Sequence, residues 1–144
     1  MIQLASPPTA PPRPSSPGAR PASGPVPELE RLGDEIATLA AHLDAAKGRM
    51  LDRLREFDER EGWAGFRSCA HWLSWRTSLA PGAAREQVRV ARALGALPVI
   101  REEMRTGRLS YSKARALTRV ATPANEAELV EFARHASAAP HCLL

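Results

Sequence analysis

Arg85, Arg89 and Arg92 recur at i, i+4 and i+7 in PGAAREQVRVARAL, and Lys113, Arg115 and Arg119 follow in GRLSYSKARALTRVA. On a helix such spacings gather side chains along one side. Guanidinium groups arrayed in this way suit phosphate oxygens, which they engage as charged, multidentate donors. Arg89 and Arg92 are spaced to take phosphates. Arg85 and Gln87, in the N-terminal half of the same stretch, are spaced to approach base edges, and Lys113, Arg115 and Arg119 offer a second phosphate-contacting surface. The plainer reading is a solvated helix face. Arg supplies 18 of the 20 basic residues in a chain rich in Ala, Pro and Gly, a bias that GC-rich coding produces without any function. Placement on a helix face therefore carries more weight than abundance.

Other chemistries lack their residues. The sequence contains no Gly-rich phosphate loop, no Gly-x-Ser-x-Gly elbow and no His-Glu-x-x-His helix, so hydrolytic and nucleotide-dependent readings lose their usual support. Cys69 with His71, and the adjacent His141 and Cys142, are too sparse for the paired ligands of a zinc site. Neither a metal nor another cofactor is expected. Glu102 with Glu103, and Asp58 with Glu59, occupy adjacent helix positions that face different ways, which suits solvated charge better than an acid and base pair. Two cysteines make no disulfide framework, and no apolar stretch approaches the ~18 residues of a membrane span. A non-catalytic cytoplasmic protein is the expectation.

The elements that must position these arginines are helices. Ala, Leu, Arg and Glu dominate after residue 28, and no run of alternating β-branched residues occurs. Nine of the thirteen prolines fall within residues 1–27, which predicts a disordered tail followed by one all-α domain over 28–144. Leu29, Leu32, Ile36, Leu39, Leu43, Ala46 and Met50 then form a heptad seam, continued by Leu54 and Phe57 after a stutter. That seam predicts a long helix to about residue 61, packed on the protein's own later helices or paired between chains as a homodimer or with a helical partner. Ser68 caps a second helix, Pro81 opens the arginine helix with Ala84, Val88 and Ala91 inward, and Gly95 ends it. Pro98 starts a short helix that Gly107 closes. Ser110 caps the next, running towards Pro123, and a last helix turns Leu129, Phe132 and Ala133 inward. Charge is divided: residues 28–62 hold ten acids against six bases, whereas residues 81–121 hold nine bases against three acids.

The span from SCAHWLSWRTSL to ELVEFAR resembles the actinobacterial 13E12-repeat family, also described as domain of unknown function 222, over about Leu29 to Arg134. Its most specific elements here are Trp72-Leu73, AREQVRVARAL, Leu97-Pro98 and GRLSYSKARALTRVAT. The resemblance implies a domain that accompanies DNA-processing chemistry, since such proteins commonly carry a C-terminal HNH nuclease module. Only ten residues follow Arg134, so a C-terminally truncated relative without that module is expected. The order of elements from Leu79 to Leu117 is also similar to the helix-turn-helix region of ParB-type partition proteins.

The expectation is thus a helix-turn-helix-like bundle of shorter helices behind a long heptad helix, binding DNA without catalysis. Its rivals are a protein-interaction or dimerisation module, and a nonfunctional remnant of a longer HNH nuclease. The DNA reading requires guanidinium groups from two neighbouring helices to converge on one exterior patch. It also requires that carboxylates of the N-terminal helix leave them free.

Overall fold

The computed structural model describes residues 8–12 and 25–136. Most of the expected Pro-rich tail, and the ending SAAPHCLL, lie outside the described residues. Among the described residues six helices carry the fold and there is no strand: α1 (Pro25–Glu59), α2 (Cys69–Thr77), α3 (Pro81–Leu94), α4 (Pro98–Arg105), α5 (Tyr111–Leu117) and α6 (Glu126–His135). None of them is long and apolar enough to cross a membrane. The chain divides into two units, Met1–Glu35 and Ile36–Leu144. α1 starts two residues before the expected tail ends. Pro25 and Pro27 fall in its first turn, where a missing N–H removes no helix bond.

In the first unit, every side chain described from Val26 to Glu35 is exposed. In the second, the core draws on α1 to α6 through residues such as Leu51, Leu73, Val90, Ile100, Ala114 and Val130, each at most 3% exposed. Leu54 and Phe57 of the predicted seam reach this core or its margin. Leu39 and Leu43 do not, being 61% and 72% exposed. A different face of α1 meets the later helices: Asp44 Oδ1 accepts the Tyr111 backbone N–H at 3.1 Å, and a Cβ on Gly48 would stand 3.0 Å from the Met104 backbone.

Local signals act as their residue types dictate. Ser68 Oγ accepts the His71 N–H at 3.0 Å to cap α2, and Ser110 Oγ accepts the Lys113 N–H at 3.3 Å to cap α5. Ser78, at φ 60°, turns α2 into a three-residue link to α3, and Ser74 Oγ donates to Leu79 O at 2.7 Å across it. Gly107, at φ 76°, follows α4 where a left-handed residue is needed. Two expectations fail. α5 ends at Leu117, because Thr118 bonds back to the Arg115 carbonyl and the chain leaves in turns before Pro123. On α6 Val130 faces inward and Phe132 is 72% exposed, the inward stripe being shared with Ala133 and the buried Glu126.

Candidate nucleic-acid interface

The arginine face of α3 is set by what the opposite face buries. Ala84, Val88, Val90, Ala91 and Leu94 enter the core, leaving Arg85 and Arg92 exposed and Arg89 at the margin. Gln87 is also turned inward. It is 5% exposed, and its Oε1 has no hydrogen-bond partner among the described residues, so it cannot approach a base edge as its position in the stretch suggested. The reason is angular: Gln87 lies one turn from Ala84 and Ala91, on the stripe α3 presents to the core.

Glu86 organises the outer surface. Its Oε1 accepts from Arg89 Nη2 at 2.6 Å, Arg115 Nε at 3.0 Å and Arg119 Nη2 at 2.8 Å. Groups from α3 and from α5 with its trailing turn therefore meet at one exterior point. The hydrogen bond from Arg89, helped by that from Arg115, holds the Glu86 carboxyl down to about 2 against an ordinary 4.5. One carboxylate cannot neutralise three guanidinium groups, and the side chains of Arg115 and Arg119 remain 51% and 54% exposed. Arg89 further donates to Thr118 Oγ1 and the Arg115 carbonyl, both at 3.3 Å, which fixes α3 against α5.

Arg92 and Lys113 are placed differently from expectation. Arg92 is held by the N-terminal helix, with Nε 2.7 Å from Asp58 Oδ2 and Nη2 3.1 Å from Oδ1. Asp58 also accepts from Trp63 Nε1 at 3.1 Å. The Arg92 hydrogen bond, against the opposing effect of burial, leaves this carboxyl below its usual range. Burial, then the neighbouring Asp58 charge, pushes the Cys69 thiol up to about 11. Arg92 is thus a structural link between α3 and α1, neutralised in the way the DNA reading required it not to be. Lys113 Nζ donates to the Ala133 carbonyl at 3.0 Å and ties α5 to α6. Arg85 makes no ion pair among the described residues. It lines, with Arg89, Arg92, Ser68 and Val88, an open groove of about 390 Å³ between α2 and α3.

A model of the family described as "Domain of unknown function (DUF222)" matches residues 30–140. The chain belongs to this family. No curated protein and no solved structure matches it. In this DUF222 domain the residues that sequence reasoning missed are acidic partners: Glu86, which it did not single out, and Asp58 and Glu103, which it reads as solvated charge and which are instead largely buried against Arg92 and Arg134. Glu86 had a legible signal, standing three residues before Arg89 on the same helix. Asp58 had none, because it lies 34 residues from Arg92 and only the crossing of α1 with α3 joins them.

Proposed function

We propose that this domain is a non-catalytic binder of nucleic-acid phosphates, contacting duplex DNA through Arg85, Arg89, Arg115 and Arg119. The observation that carries the reading is the convergence of three guanidinium groups on Glu86 Oε1 from two separate stretches of chain. With Arg85, four cations against one carboxylate leave a net charge of about +3 on that surface. The likeness to the N-terminal region of HNH-endonuclease-type proteins of actinobacteria makes duplex DNA the favoured polyanion. The domain would hold the duplex and leave the chemistry to a nuclease. Gln87 is withdrawn from the contact set, as are Arg92 and Lys113, and with Gln87 goes the side chain best suited to base readout. Binding is accordingly of the backbone type, indifferent to sequence.

Fluorescence anisotropy with a mixed-sequence duplex across a salt series tests this. Release of about three counterions gives a slope near −2.7, so affinity should fall about 40-fold between 50 and 200 mM salt. Arg115→Ala with Arg119→Ala should weaken binding at low salt. Glu86→Gln, which removes the competing carboxylate, should tighten it and steepen the slope by about 0.9. No retention at 50 mM salt, or affinity unmoved by these variants, overturns the proposal.

A further inference from the structure

The seam at the start of α1 presents an apolar stripe to water. Leu29, Leu32, Ile36, Leu39 and Leu43 are 64%, 47%, 67%, 61% and 72% exposed. The bundle is built on another face of the same helix, through Asp44, Gly48 and Leu51. An isolated helix with a solvated leucine stripe has little to hold it in water, since most helical stability comes from packing an amphipathic face.

The charges beside the stripe say what covers it. With Leu29, Ile36, Leu43 and Met50 at heptad positions a, and Leu32, Leu39 and Ala46 at d, the g positions are Glu28, Glu35, His42 and Arg49. They run from acidic to basic along the helix, and all four are exposed. The e positions are Gly33, Ala40 and Lys47, and Lys47 is engaged with its own chain, its Nζ 5.6 Å from the Tyr111 ring centroid. A parallel pair sets g against e of the other chain. It would place Glu28 beside Gly33, Glu35 beside Ala40, and His42 beside Lys47, which gives no complementary pair. An antiparallel pair sets g against g. Leu29 then packs on Ala46, Leu32 on Leu43 and Ile36 on Leu39 of a second copy, each twice by symmetry. In that register Glu28 meets Arg49 and Glu35 meets His42, while Gly33 meets Ala40 and lets the two axes come close.

We propose that this protein forms a homodimer in which the Leu29–Met50 stretch of α1 pairs antiparallel with the same stretch of a second copy. The inference stands apart from the DNA reading, because it uses none of the arginines of α3 or α5. Glu28 and Arg49 are 21 residues apart in the sequence and both occupy g positions, so the antiparallel register predicts that their charges are coupled through the second copy.

Sedimentation velocity on the full chain over a concentration series tests the proposal. The wild type is expected as a dimer in the micromolar range, and Leu39→Glu with Leu43→Glu as a monomer. The bundle of that variant should keep its cooperative melt, because both positions are exposed and lie outside the core, while the helical circular dichroism of the uncovered start of α1 falls. Glu28→Arg alone and Arg49→Glu alone should each weaken the dimer about three- to tenfold, and the two together should restore it. A wild-type monomer at 100 µM overturns the inference. So does a dimer indifferent to the leucine substitutions, or one that the double charge reversal fails to restore, as in parallel pairing. DNA retention by the monomeric variant would leave the phosphate-binding reading intact while this one is tested separately.

Discussion

Glu86 and Glu126 are both carboxylates on helices, and they stabilise the domain by different means. Glu86 is a charge hub whose carboxyl is held at about 2 by its arginines. A carboxyl depressed on folding contributes stability that is complete above its unfolded value of 4.5 and is lost as the pH falls towards 2. Urea midpoints measured from pH 5 to 2.5 should therefore decline more steeply for the wild type than for Glu86→Gln. Glu126 is 2% exposed, and its Oε2 accepts the backbone N–H groups of Val99 and Ile100, both at 3.1 Å. It caps α4 from the first turn of α6. Glu126→Ala leaves those donors unmet in a dry site and should lower stability by about 1–3 kcal/mol, read from chemical denaturation. At this scale the arginine positions were legible in the sequence and their partners mostly were not. Spacing on one helix reveals Glu86 beside Arg89, whereas Asp58 and Glu126 act across 34 and 26 or more residues of chain.

Among the elements, the helices follow their punctuation closely. Pro81 and Pro98 open α3 and α4, Ser68 and Ser110 cap α2 and α5, and Gly107 closes α4, each through a backbone preference that needs no tertiary knowledge. Gly107 does more than end a helix. A Cβ there would stand 2.5 Å from the Ala41 carbonyl oxygen, at a φ of 76° that L side chains rarely adopt. Gly107→Ala should cost about 1–3 kcal/mol from the backbone alone, with the close approach to α1 adding to it, measured as a lowered urea midpoint. What the pattern misread was orientation. The heptad seam was visible, but the choice between an internal and an external partner was not, because a period of 3.5 names a stripe and leaves its occupant open. On α6 the pattern turns Phe132 inward with Leu129 and Ala133, whereas Val130 and the buried Glu126 take that side beside Ala133.

Across the second unit, the charge asymmetry of the sequence becomes an internal arrangement. Asp52 of α1 pairs with Arg101 of α4 at 2.7 Å, and Asp58 with Arg92 of α3 at 2.7 Å, so part of the acidic first helix is already matched to the basic later ones. The surface around Glu86 keeps a cationic surplus, at a place composition could not indicate. Side chains from six helices meet in one buried cluster, which predicts a single cooperative thermal transition by circular dichroism for this unit. A nonfunctional remnant with an incomplete fold would instead melt broadly. Cys69, 1% exposed and with its thiol pushed up to about 11, should stay unmodified by Ellman's reagent at neutral pH until the unit unfolds.

The Glu126 cap also imposes an order on synthesis. α4 leaves the ribosome well before the carboxylate that satisfies its first turn, so its opening amides must stay hydrated until some 26 further residues have emerged. A nascent chain halted before that glutamate should exchange the Val99 and Ile100 amides rapidly, and release of the last helix should close them.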